Sequence, residues 1–157
     1  NEHEFLSNKI LELESSLQKP IFLMINKDIP FFDTSISNKT VLTHSISLIN
    51  NQSIEDFKNK TNQEIETQRF RGNLYVDGVD AWEERNWIGN IIKINNISFK
   101  VEKNIPRCMA INLKPNTDDN SLNLLQSLKK NYNHFDMGVY LTALDDGLIN
   151  IGDNISL

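Results

Sequence analysis

Cysteine is almost absent from this sequence: Cys108 is the only one in 157 residues. No internal disulfide framework can form. The three histidines are scattered, so no zinc cluster can be read from spacing. Long apolar runs are missing, which leaves no stretch of the length a membrane span needs. An excess of basic residues is missing too. The formal net charge is −5, which argues against a general nucleic-acid binder with a basic face and gives no sign of an anionic-membrane anchor. The chain opens at Asn1 with neither an initiator methionine nor a signal-peptide pattern. The compartment expected on these grounds is cytoplasmic, although the N-terminus itself cannot decide targeting.

What is present is ordinary for a globular protein: 39% hydrophobic and 24% charged residues. The length suits one domain, or one domain plus a fragment of another. Asparagine is over-used. The matches to the glycosylation acceptor pattern, such as Asn96-Ile97-Ser98, follow from that bias.

Phe5, Leu6, Ile10, Leu13 and Leu17 fall on one helical face, predicting a helix over residues 1–17 that Pro20 ends. Residues 21–25 read as a buried strand and residues 27–40 as a loop. A strand is expected over 41–49 and a helix over 53–60 starting at Ser53. Leu74-Tyr75-Val76 form a short strand. Residues 79–86 make a loop or short helix, with Asp77, Asp80, Glu83 and Glu84 as a solvated acidic loop. Trp82 and Trp87 read as packing residues. Residues 87–94 and 97–101 alternate about Asn95-Asn96 as a hairpin. A strand carrying Cys108 should follow, with alternation continuing beyond it. A helix is predicted over 121–132, then strands over 138–144 and 148–151. Short strands with a few helices give an α+β class, with an antiparallel-rich sheet or a barrel.

Cys108 stands in Ile105-Pro106-Arg107-Cys108-Met109. A lone cysteine is usually a small buried hydrophobe. A thiolate is also a good ligand for a soft metal. Arg71 and Arg107 offer the rigid fork that suits phosphate, and Asn73 can both donate and accept. The order strand, polar turn, helix at Asn50, Asn51 and Ser53 would leave backbone N–H groups for an anion. Each has a plainer reading. Arg71 could pair with Asp77 or Asp80, Asn73 could serve a turn, Asn50 and Asn51 could start a helix, and His44 and His134 could be structural.

Three stretches occur together in order: Ser47-Leu48-Ile49-Asn50-Asn51-Gln52-Ser53, Arg69-Phe70-Arg71-Gly72-Asn73 and Pro106-Arg107-Cys108. Together they resemble the MOSC domain of molybdenum cofactor sulfurases and of mitochondrial amidoxime-reducing components. Asp80, Trp82, Glu84 and Trp87, then Gly138-Val139-Tyr140 and residues 147–153, extend the likeness. It covers residues 41–157. Residues 1–40 look like the tail of the N-terminal barrel domain of those proteins. Gly72 stands where the family usually has proline, Asn51 where it often has Ser or Thr, and Arg85 where it tends to have an acid.

The resemblance implies a β-barrel of mostly antiparallel short strands with a few peripheral helices. It implies a molybdenum–molybdopterin cofactor ligated by Cys108, with Asn50, Asn51, Ser53, Arg71, Asn73 and Arg107 as cofactor contacts. It further implies an oxidoreductase acting on N-hydroxylated or related oxygenated small molecules. Its electrons would come from an external electron-transfer protein. The alternative is a cofactor carrier or sulfur-delivery module working with a separate pyridoxal-phosphate sulfurase. A degenerate domain that binds nothing, or only an anion, is the plainest reading.

Overall fold

The computed structural model describes residues 2–13 and 45–157. The chain divides into two units, Asn1–Asn38 and Lys39–Leu157. In the first, helix α1 spans Glu2–Leu13 and leaves Phe5, Leu6 and Ile10 exposed. The rest of the predicted helix, the strand over 21–25, the loop over 27–40 and residues 41–44 of the next strand lie outside the described residues. No helix among the described residues is long and apolar enough to cross a membrane.

The second unit is a mixed six-stranded sheet that curls into a nearly closed barrel. Its strands are β1 (Ile46–Asn50), β2 (Leu74–Val76), β3 (Ile91–Ile94), β4 (Ile97–Pro106), β5 (Asp136–Ala143) and β6 (Ile155–Ser156). The order is β2-β1-β5-β4-β3-β6. Only β1 and β2 run parallel, with Leu48 opposite Leu74. A parallel pair needs a crossover. Helix α2 (Asn51–Thr61) and a 3-10 turn at Thr67–Phe70 supply it. Helix α2 starts two residues before the predicted Ser53, because the Asn50 Oδ1 accepts from Gln52 N at 3.0 Å and takes the capping role. Helix α3 (Leu124–Tyr132) begins later than predicted. The Asn123 side chain caps it by accepting from Gln126 N.

Side chains pack in two layers. Leu48, Trp87, Ile92, Phe99, Val101, Val139 and Leu141 share one cluster. Ile49, Ile54, Phe57, Phe70, Ile105, Leu128 and Met137 share the other, which includes residues of α2 and α3. Neighbours Leu48 and Ile49 take opposite layers, as strand alternation requires. On β4 and β5 that parity is broken: Val101 and Ile105 differ in layer, and so do Met137 and Val139. The cause is two register shifts, one between Val101 and Lys103 and one between Asn104 and Pro106. An extra residue in one strand moves its side chains to the other face. The second shift contains Gly138, whose φ is +80°. A Cβ there would press on the Leu48 carbonyl and the Ile49 side chain.

Two predicted strands are corrected. β4 ends at Pro106, and Cys108 lies beyond it at the start of a 3-10 turn, Met109–Asn112. Residues 148–151 are not a strand. Asp153 accepts from Asn150 N through its carboxylate at 2.8 Å, and its own N–H reaches Asn150 O at 3.2 Å. That closed turn, with Gly152 at φ +97°, leaves Leu148 and Ile151 exposed. The last strand is Ile155–Ser156, paired with β3.

Gly138→Ala is expected to lower unfolding stability by about 2–4 kcal/mol, from the strained φ and the blocked approach to β1. Urea denaturation measures this. An unchanged midpoint would mean that the bulge does not depend on glycine.

Candidate functional site

Cys108 is exposed. The residue before it is not. The Arg107 N–H donates to Phe135 O at 2.9 Å. Its guanidinium donates through Nε at 2.8 Å and through Nη2 to Met137 O, and through Nη1 at 2.8 Å to Phe70 O. Burial lowers the Arg107 pKa to about 10, so it stays charged at neutral pH. These bonds pin the end of β4 to β5 and to the Thr67–Phe70 turn, and the chain leaves the sheet there. That is the physical reason Cys108 is not in a strand. Ile111 N then donates to Cys108 O at 3.3 Å and closes the next turn.

Arg71 follows Phe70 directly, so both Arg71 and Cys108 are chain neighbours of the Phe70–Arg107 bond. Arg71 takes a left-handed conformation, φ +49°, uncommon for a residue with a Cβ. It is exposed, and its side chain makes no hydrogen bond or ion pair with any described residue. Neither Asp77 nor Asp80 pairs with it. Asn73 fixes the segment from the other side. Its Oδ1 accepts from Ser47 N at 2.9 Å and from Ser47 Oγ at 2.8 Å, and its N–H donates to Ser47 O at 3.0 Å.

Sequence reasoning missed Arg69, which is 1% exposed. It donates through Nε to Glu66 at 2.6 Å and through Nη1 to Asn112 O at 2.7 Å. Asn112 in turn accepts from Leu125 N at 3.1 Å, so Arg69 ties the two 3-10 turns and α3 together. Lys114, then Arg69, hold the Glu66 carboxyl down at about 2. The available signal was Glu66 three residues before Arg69, a spacing that pairs side chains on one helical face.

Asn50 and Ser53 are both buried at the start of α2, and a carboxyl group does sit there: the chain's own Glu84. Ser53 Oγ donates to the Glu84 carboxylate at 2.9 and 3.0 Å, and Asn50 Nδ2 donates to it at 2.9 Å. Asn50 Nδ2 also reaches Asp80 O, and Trp82 N donates to Ser53 Oγ. Glu84 is 0% exposed, which corrects its place in a solvated acidic loop. Burial raises its pKa, opposed by the bonds from Asn50 and Ser53. Asn51 lies apart, donating to Asp77 at 3.0 Å beside a shallow groove of about 490 Å³. Trp82 packs on Tyr132 at 4.3 Å and donates through Nε1 to Asp56 at 2.7 Å. Trp87 lies in the barrel core. Both indoles pack, as predicted.

The structure therefore sorts the predicted residues. Cys108 and Arg71 are exposed beside one another's anchor points. Arg107 and Asn73 hold the backbone that carries them. Asn50 and Ser53 are satisfied by Glu84. Among the described residues no group of three or more His, Cys, Asp or Glu is placed to hold a metal ion. A metal at Cys108 would therefore need its other ligands from outside the described residues.

The family model described as MOSC domain matches residues 36–156. Over 92 residues the chain is 30% identical to a molybdenum cofactor sulfurase of Bombyx mori, covering 58% of this chain and 11% of that protein. Over 72 residues it is 29% identical to mitochondrial amidoxime reducing component 2 of Rattus norvegicus, covering 46% of this chain and 21% of that protein. The chain thus spans a minor part of either relative. The crystal structure of YiiM from Geobacillus stearothermophilus shares the fold at TM-score 0.53 and 15% identity, covering 70% of this chain and 52% of that one.

Arg107→Lys keeps the charge but not the fork to two carbonyls. We expect it to cost about 2–3 kcal/mol of stability, read by urea unfolding, with no change marking the fork as dispensable. Glu66 adds an acid dependence. Its folded pKa is depressed, so its contribution is complete above about 4.5 and is lost as pH falls toward about 2. The stability gap between the parent and Glu66→Gln should hold steady from pH 7 to about 5 and narrow below that. A gap that widens in acid would contradict the sign.

Proposed function

Because the chain belongs to the MOSC domain family, we propose that its folded unit binds a molybdenum–pterin cofactor, with Cys108 as the protein's ligand to the metal. The observation that carries this reading is the exposed Cys108 thiol, set next to the half-buried Arg107 fork that also fixes Arg71. Similarity to parts of a molybdenum cofactor sulfurase and of an amidoxime reducing component supports it.

A thiolate suits a soft metal centre. Arg71 is the exposed cation free to meet the cofactor's phosphate or pterin edge. Arg107 and Asn73 act behind it by fixing backbone, while Asn50, Ser53 and Glu84 make α2 rigid. Asn51 and Gln52, the other polar side chains of that turn, line a groove. When bound, the cofactor supplies two-electron redox chemistry. The chain's own residues bind it, orient it and hold charge beside it.

We further propose an oxidoreductase role toward N-hydroxylated or related oxygenated small molecules, with electrons from a separate electron-transfer protein. The similarity to part of a sulfurase supports a second reading, a cofactor carrier served by a separate sulfurase.

Protein produced with added molybdate should carry molybdenum by elemental analysis. Cys108→Ala should reduce it by at least about tenfold without changing the circular dichroism spectrum, since the side chain is exposed. Full retention of metal in that variant would remove the ligand assignment. Reduction of benzamidoxime with an artificial donor would favour the enzyme; metal-loaded protein without that activity would favour the carrier.

A further inference from the structure

The chain is acidic, with net charge −5, yet several cations lie around the segment that carries Cys108. Arg107 precedes it, and Arg71 is anchored through the Phe70–Arg107 bond. Lys129 Nζ lies 5.5 Å from the ring of Phe135, whose carbonyl receives the Arg107 N–H. A carboxylate also lies close by. Asp136 is the strand partner of Pro106, two residues before Cys108, and lies within electrostatic reach of Arg107. Arg85 answers it, with Nη1 3.4 Å from Asp136 Oδ2. His134 accepts from Asp136 N at 3.1 Å through Nδ1. Burial and Arg85 lower its pKa, so it adds no charge at neutral pH.

We propose that Arg85, by neutralising Asp136, keeps the approach to Cys108 cationic and so selects an anionic oxygenated substrate, one bearing a carboxylate, a sulfonate or a similar group. This rests on reading Cys108 as the reactive centre. Arg85 is a positioning residue here: it acts through Asp136 and need not touch the substrate. The pair is part-exposed, with side chains 27% and 23% accessible, so its influence is that of a screened surface charge. Such a charge still biases the arrival of a charged molecule. The competing explanation for the same cations is that they serve only the phosphate of the cofactor.

The lone cysteine makes the test direct, because loss of free thiol, followed by thiol titration, reports on Cys108. The probes are iodoacetate, an anion, and iodoacetamide, its neutral counterpart, applied to protein made without molybdate. Their rate ratio reads the local field directly. For an assumed separation of about 8 Å in a solvent-like dielectric, uncovering one charge changes that ratio by about twofold. Arg85→Gln should lower it by about that factor, and Asp136→Asn should raise it. The Arg85→Gln/Asp136→Asn double variant should return it to the parent value, which a merely structural role would not do. An unchanged ratio in Arg85→Gln, or a double variant that stays low, overturns the proposal. Molybdenum content is measured in parallel on protein made with molybdate. Retention in Arg85→Gln supports a role toward substrate, whereas loss matching that of Cys108→Ala assigns the cations to the cofactor and also overturns it. Failure of the ligand assignment appears in Cys108→Ala alone and leaves the alkylation ratios intact.

Discussion

The guanidinium of Arg107 bonds two main-chain carbonyls from distant parts of the chain, Phe70 and Met137. Both carbonyls belong to buried residues, and without a donor each would pay the full desolvation cost of an unmet acceptor. The same fork decides three things together. It ends β4, it turns Cys108 out of the sheet, and it fixes the peptide from which Arg71 projects. A lysine could supply the charge but not the planar geometry. Arg107 thus binds protein, while its neighbours Cys108 and Arg71 are left exposed.

That arrangement depends on the sheet delivering Met137 to the right layer. Strict alternation would place Met137 with Val139 inside the barrel. The register shift at Gly138 moves it to the helical layer, where its carbonyl meets Arg107. A bulge next to a functional site is a common device for re-aiming a strand. On the other side, Arg69 joins the turn at Thr67–Phe70 to the turn after Cys108. Arg69 and Arg107 therefore clamp one peptide segment from two directions. Arg71 lies just beyond it in a strained left-handed conformation that this clamp can sustain.

Much of this was legible from the residues. The hairpin about Asn95-Asn96 follows from alternation, α2 and α3 from helical spacing, and the family from three short motifs in order. The fold class and the MOSC likeness are borne out. What escaped depends on contacts between distant residues. Arg107 reads as a phosphate fork in one dimension, and only the fold shows its carbonyl partners. Glu84 reads as one acid among several, yet it alone is buried, because Asn50 and Ser53 can donate to it. The strand through Cys108 was expected because local alternation carries no information about a tertiary clamp. The 148–151 strand was expected for its apolar content, which the Asn150–Asp153 turn overrides.

The account stands or falls on sulfur from the protein bonding to molybdenum. X-ray absorption at the molybdenum edge, on loaded protein and on its Cys108→Ser variant, measures that bond itself. The account predicts one sulfur neighbour beyond those of the pterin dithiolene in the parent, and its loss in the variant. An identical sulfur count in the two proteins would contradict it.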